Sequence, residues 1–340
     1  MIKDDAMKYF VVFSVILLIL YLAGFVNKQN NDFDFMSRDF TTAIKGFAIL
    51  TVVWGHTGGR LSVEGIQFIA GVGVTLFLIC SGYGLEMSYQ KNGLKGFWKK
   101  RFLKVCIPFW IVELMGLLVT QTFNIKKYLL DAAFIKNATG YGWFMQYIVI
   151  CYILFFIVKA LSERTKINDV WMIIVVFAVW FIIDSCFFAE PSMPALRARQ
   201  MLSFPVGMIV AKNKDSIEKM ISGKKASLRI IGGGITGLTV MGLTQLSVIK
   251  ALPYLASNAI ALFSVLPLAV AVVCFMNTFY VLLNNSFLLK TGLLSYEIYL
   301  VHAYTLGIVD HSILSLLLFL VTTIILALTL RVANKYLHLN

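Results

Sequence analysis

Apolar residues fall along the chain in uninterrupted blocks of about twenty, separated by short polar stretches, and not in alternation. Backbone in lipid must satisfy its own hydrogen bonds, which a helix does within one segment, whereas barrel strands would show alternating runs of about ten residues. The blocks lie at 8–26, 42–59, 67–89, 102–121, 142–161, 169–188, 198–212, 227–248, 255–277, 291–309 and 312–332. They predict an all-α fold, a polytopic transmembrane bundle of ten or eleven helices. The lower figure arises because the seventh block is short and only Asp310 and His311 part the last two. The first block follows Lys3, Asp4, Asp5 and Lys8 and shows no small-residue cleavage site, so residues 1–30 read as an extra N-terminal transmembrane helix and 31–340 as the main membrane domain.

Composition strengthens this reading. The chain is 59% hydrophobic and 14% charged, against about 25% charged in soluble domains. Its net charge of +13 follows the loops. If the loop between the third and fourth blocks is cytoplasmic, most of the 30 lysines and arginines fall on that side, Lys28, Lys91, Lys159, Lys212 and Lys224 among them. The positive-inside rule then predicts an external N-terminus, a cytoplasmic C-terminus and eleven helices in the cell membrane. Topology thus accounts for the basicity without nucleic acid as a partner. The five cysteines sit in apolar blocks without paired spacing, as small core residues and not as disulfides or metal ligands. Gly232, Gly234 and Gly237 spell GxGxxG inside an apolar block with no preceding strand, which favours close helix packing over dinucleotide binding. Asn137-Ala138-Thr139 is a weak glycosylation sequon.

Candidate chemistry begins in AIKGFAILTVVWGHTGG, residues 43–59. Lys45 and His56 are eleven residues apart, which on a helix returns to within about 20° of one face, roughly 16 Å further along the axis. His56 is either a base toward the outer half of the membrane or an interfacial residue at a helix end. Ser295, Tyr299 and His302 share a second helix face, where His302 is either catalytic or a buried structural histidine. His311 and His338 are not favoured. Glu113, Asp184 and Glu297 are carboxylates inside apolar blocks, each needing a cavity or a partner, and Glu113 can either orient a histidine or pair with a base. Ser81, beside Gly82 and Gly84, is a substrate contact or part of a small-residue packing surface. Lys91, Lys95, Lys99, Lys100, Arg101 and Lys104 form a basic cluster with no acid between them, fit for a polyanionic ligand or for orientation alone. Arg197 and Arg199 follow Pro191 and Pro194 on the expected outer side, where they can meet an anionic glycan or hold a helix end.

KGFAILTVVWGH resembles the first motif helix of the membrane acyltransferase 3 family, with Lys45 where arginine is usual. The resemblance continues in order through FLICSGYGLEMSY, FWKKRFLKVCIPFW, YGWFMQYIVICY and LSYEIYLVH, and so spans residues 38 to about 305. It implies acyl transfer, commonly of acetyl, from cytoplasmic acetyl-CoA to a hydroxyl of an extracytoplasmic or lipid-linked glycan, as in capsule or exopolysaccharide O-acetylation, without a metal. With this chemistry His56 reads as the general base, with His302 and Glu113 in support; direct transfer is favoured over an acyl-histidine intermediate, between which the sequence does not choose. The residues themselves then suggest donor binding by Lys45, Arg101, Lys100, Lys104, Ser81 and Tyr299, and acceptor binding by Asp184, Arg197, Arg199 and Trp143. The competing class is a polysaccharide or lipid-linked-sugar transporter, against which stand the lack of a clear internal repeat and of matched broken helices. The sugar, the hydroxyl, the acyl group and the oligomeric state are left open by the sequence.

Overall fold

The structure, a computed structural model, describes residues 2–26, 33–63, 65–140, 142–189, 195–223 and 225–337. Lys28, Pro191, Pro194, Lys224 and His338 lie outside the described residues, as do the side chains of Lys3, Asp4 and Asp5. The described residues are helical with no strand: α1 (Ile2–Ala23), α2 (Arg38–Arg60), α3 (Phe68–Asn92), α4 (Phe97–Val119), α5 (Ile125–Ala132), α6 (Trp143–Thr165) and α7 (Asp169–Phe187), then α8 (Ser203–Lys212), α9 (Lys214–Ile221), α10 (Ala226–Leu243), α11 (Tyr254–Thr278), α12 (Ser286–Leu293), α13 (Ser295–Thr305) and α14 (Ile313–Tyr336). A single 3₁₀ turn, Ala198–Gln200, precedes α8.

Seven of these, α3, α4, α6, α7, α10, α11 and α14, are long and apolar enough to cross a membrane. Large apolar side chains such as Trp171, Leu228 and Leu314 remain exposed on them, as helices facing lipid require. The protein is a multi-pass helical membrane bundle. Ten or eleven spans were expected, and the difference has a physical source. α2 has the length but carries Arg38, Asp39, Lys45, His56 and Arg60; α8 has 10 residues; and the penultimate block breaks at Leu294 into α12 and α13. Of these, α2 and α13 carry the two candidate histidines, His56 and His302.

Polar caps set the helix ends. The Ser37 side chain accepts the Phe40 N–H at the start of α2, and Asn168 accepts from Val170 and Trp171 at the start of α7. Within α4, residues Phe102–Cys106 are wound as a π-helix just before Pro108, whose missing N–H and bulky ring prevent regular α pairing there.

Glycines set the register of α2 and α3. A Cβ on Gly46 would overlap the Leu288 carbonyl, and one on Gly292 would overlap the Thr42 carbonyl, so α2 and α12 touch backbone to backbone. Gly82 against Phe204 and Gly207 against Ile79 make the same reciprocal contact between α3 and α8. Gly82 therefore packs beside Ser81 and is not an open loop. Of the three glycines in the GxGxxG string only Gly237 is in close contact, and it joins Gly233 in seating α10 on α11.

α1 docks on the same frame. Phe10 and Phe13 are buried, Trp54 Nε1–H donates to Ser14 Oγ at 2.7 Å, and Asn285 Nδ2–H donates to Tyr21 O at 2.7 Å. The expected division into residues 1–30 and 31–340 is thus bridged by contacts of α1 with α2, α12 and α14. All five cysteines are free thiols, and Cys186 is exposed, not a core residue.

Candidate active site

The packing of α2 against α12 and α13 brings together two histidines separated by 246 residues. His56 Nδ1 lies 2.9 Å from His302 Nε2, with ring planes 10° apart. His302 Nδ1 lies 2.7 Å from Tyr299 O and 3.2 Å from Ile298 O. Carbonyl oxygens only accept, so Nδ1 of His302 carries a hydrogen and donates it to them. In the neutral ring Nε2 of His302 is then an acceptor, which takes the hydrogen of His56 Nδ1. That chain of hydrogen bonds assigns the basic lone pair of neutral His56 to Nε2. His302 is fully buried and orients His56, while His56 itself lines a cavity.

This cavity, about 960 Å³, has His56, Arg60, Gln67, Trp143, Arg199 and Tyr299 in its wall. Tyr299 is held by Phe144, ring centroids 5.1 Å apart at 68°, and stands 5.8 Å from the His302 ring. It also lines a second, smaller cavity of about 20 Å³, room for one water, together with Glu113, Thr139, Gly142 and Tyr304. Glu113 is placed on α4, opposite α5. It meets Asp131 of α5, and both carboxyls are buried.

Asp131 stands outside the spans, and burial first, then the adjacent Glu113, push its carboxyl well above the usual carboxylate range. The folded state therefore keeps a proton that the unfolded chain releases at lower pH. The sign follows: stability falls as pH rises from the ordinary carboxylate range through the raised value. The thermal midpoint of the detergent-solubilised wild type should decline between about pH 4 and 7, and Asp131→Asn should flatten that slope. A slope unchanged by the substitution would remove Asp131 as its source.

Toward the end of the bundle where α2 begins, Lys45 is close enough to Cys80 for its charge to act on that thiol. Ser81 Oγ, next in sequence, lies 3.5 Å from Tyr152 OH, at the edge of hydrogen-bond range. The Arg101 guanidinium stands 5.6 Å from the Tyr152 ring centroid and 5.9 Å from that of Phe97. Arg101 is thus turned inward from the π-helical segment, whereas Lys91, Lys95, Lys99, Lys100 and Lys104 are exposed. Structure divides the basic cluster into one inward guanidinium and five surface ammoniums.

The other site candidates are also placed. Arg197 is ion-paired with the buried Asp184, and its Nη1–H donates to Gln146 Oε1 at 3.4 Å, so the two residues pin the 198–200 turn to α7 and α6 without lining the cavity. Arg199 and Trp143 do line it. Glu297 has Arg331 of α14 3.8 Å away.

Sequence reasoning missed a fourth intramembrane carboxylate. Glu86 of α3 is buried, and Lys159 of α6, read as a topology-setting cation, is fully buried against it at 2.5 Å and against Asp169. Lys212 completes the network through Asp169. The signal was present, since both Glu86 and Lys159 fall inside apolar blocks. Tyr152, Tyr304 and Asp131 gave no such signal. Among the described residues no group of three or more His, Cys, Asp or Glu is placed to hold a metal ion.

Fold and site define the class as a multi-pass helical membrane bundle with a cavity lined by His56, whose ring is hydrogen-bonded to the buried His302. Family comparison then gives the chain its place: the model of the acyltransferase domain matches residues 38–333, and the chain belongs to this membrane acyltransferase 3 family. No match was found among curated proteins or among solved structures. The family match begins at the first residue of α2 and leaves α1 outside it.

Proposed function

We propose that this acyltransferase moves an acyl group, acetyl in the simplest case, from acyl-CoA to a hydroxyl of a glycan at the cell surface or on a lipid carrier. The observation that carries the reading is the His56–His302 pair at the wall of a cavity large enough for a sugar. His56 Nε2 takes the proton of the acceptor hydroxyl as its oxygen attacks the thioester carbonyl. A tetrahedral oxyanion forms and collapses, the C–S bond breaks, and the CoA thiolate leaves and takes the proton back from His56. The products are the O-acyl ester and free CoA thiol. During the step the neutral Nε2 of His302 accepts from His56 Nδ1–H and so stabilises the imidazolium.

The donor enters from the end where α2 begins. Arg101 is the best-placed group for the phosphates of the nucleotide, since a guanidinium grips phosphate bidentately, with Lys100 and Lys104 adding long-range attraction from the surface. Lys45 and Ser81 line the way inward toward His56. Counting α1, α2, α8 and α12–α13 with the seven apolar helices gives eleven crossings, and the positive-inside rule puts the Lys45 end in the cytoplasm, the N-terminus outside and the C-terminus inside.

The test is the acyl content of the host's surface polysaccharide, measured by NMR in cells making the wild type or His56→Ala at matched membrane levels. A general base contributes about 10²–10⁴ in rate, so the O-acyl signal should vanish while polymer export continues. Unchanged acylation would remove His56 from the chemistry. Loss of the polymer itself would favour a transporter.

A further inference from the structure

The cavity that His56 lines contains charge that removal of a hydroxyl proton does not need. Arg60 and Arg199 both lie in its wall, and among its described lining residues there is no carboxylate. Arg60 is anchored by its Nε–H on Val309 O at 3.3 Å. Arg199 differs from its neighbour Arg197, which Asp184 neutralises: among the described residues Arg199 makes no ion pair, and its Nε is buried without a hydrogen-bond partner.

Its position is nonetheless built. Gln200, the next residue, is fixed by two buried hydrogen bonds, accepting from Thr75 Oγ1 at 2.7 Å and donating to Gly71 O at 3.0 Å. The Arg199 backbone N–H donates to Ala195 O at 3.2 Å. Gly71, whose carbonyl holds Gln200, also lies beside the Arg199 guanidinium in the same wall. Burial pulls Arg199 down to about 10, so it keeps its charge at neutral pH. A guanidinium withdrawn from water without a counterion is costly, and a fixed one is retained where a ligand supplies the anion.

We propose that the cavity selects an acceptor sugar carrying a negatively charged group, a carboxylate or a phosphate, with Arg199 as its anchor and Arg60 as a second cation. The identity of this ligand as an acceptor rests on the transferase reading above; the anion site itself does not.

The test is saturation-transfer NMR of glucuronate, glucose 6-phosphate and glucose against the full-length protein in nanodiscs, as wild type, Arg199→Gln and Arg199→Lys. The wild type should bind at least one of the two anionic sugars roughly tenfold or more tightly than glucose. Preference for glucuronate points to a uronic-acid acceptor, and preference for the phosphate to a phosphosugar. R199Q should lose the preference, and R199K, which keeps a cation in the same site, should retain part of it. Equal binding of glucose by the wild type, or a preference that survives R199Q, would overturn the proposal. So would its loss in R199K to the same extent as in R199Q, because shape and not charge would then be the cause. Acyl transfer from labelled acetyl-CoA is read separately. Absence of transfer with the charge preference intact would sink the transferase reading and leave the anion site standing, and transfer to neutral and anionic sugars alike would do the reverse.

Discussion

His302→Ala should lower acyl transfer by about 10²–10³-fold although His302 touches no substrate, because its effect is exerted through His56. His302 Nε2 accepts from His56 Nδ1–H, and two carbonyls hold its own Nδ1–H. Without it, His56 loses the bond that fixes its tautomer and ring plane, and the imidazolium formed in the reaction loses its acceptor. The loss should fall on kcat, with KM for acyl-CoA little changed, since the groups proposed to bind the donor, Lys45, Ser81 and Arg101, are not on α13 with His302. The sharper readout is the double variant. If the histidines act as a unit, His56→Ala with His302→Ala is no slower than His56→Ala alone, whereas independent roles would multiply the two losses. Multiplicative losses would break the dyad account. The thermal midpoint of each variant separates this from simple unfolding.

The largest effect on stability should come from Lys159→Met. Lys159 is fully buried, sits between Glu86 and Asp169, and stands 4.2 Å from the Tyr89 ring centroid. Removing one partner of a buried ion pair leaves an uncompensated charge, at a cost of about 3–5 kcal/mol. Lys212 still serves Asp169, but it is 4.0 Å from Glu86 and cannot replace Lys159 there. The stranded charge is therefore that of Glu86. Lys159→Met should lower the thermal midpoint and the yield of folded protein, and adding Glu86→Gln should recover much of the loss. A stable K159M, or no recovery in the double variant, would show that the network is not the clasp of α3, α6, α7 and α8. Because α3 also carries Ser81, the clasp helps place that hydroxyl beside Tyr152.

Much of this architecture is legible in the pattern of apolar blocks, since a twenty-residue apolar run has few other stable solutions in lipid. The pattern is weakest at α2, α8 and α12–α13, where charges, shortness or a break dilute the signal. Those helices are held by glycine contacts and by neighbours, not by their own hydropathy. Candidate residues were legible one at a time. His56, His302, Arg101, Trp143 and Arg199 are polar or aromatic groups at defined positions, and family resemblance gave them roles. Their partners were not legible; the place of Lys159 inside an apolar block hinted at burial, but not at Glu86 and Asp169 as its partners.

What the sequence by itself determined is a helical membrane bundle, the residues 38–333 that make it an acyltransferase-family chain, and which side chains share a face of each helix. Helical periodicity fixes those faces because it is a local property of the backbone. Tertiary structure alone decided which faces meet. The overlapless fit of Gly46 and Gly292 sets α2 against α12, and so lets His56 reach His302. The pairing of Arg197 with Asp184 leaves Arg199, two residues on, to face the cavity. Such choices depend on contacts between segments far apart in the chain, where tenths of an ångström in backbone approach select one register among several that hydropathy treats as equal.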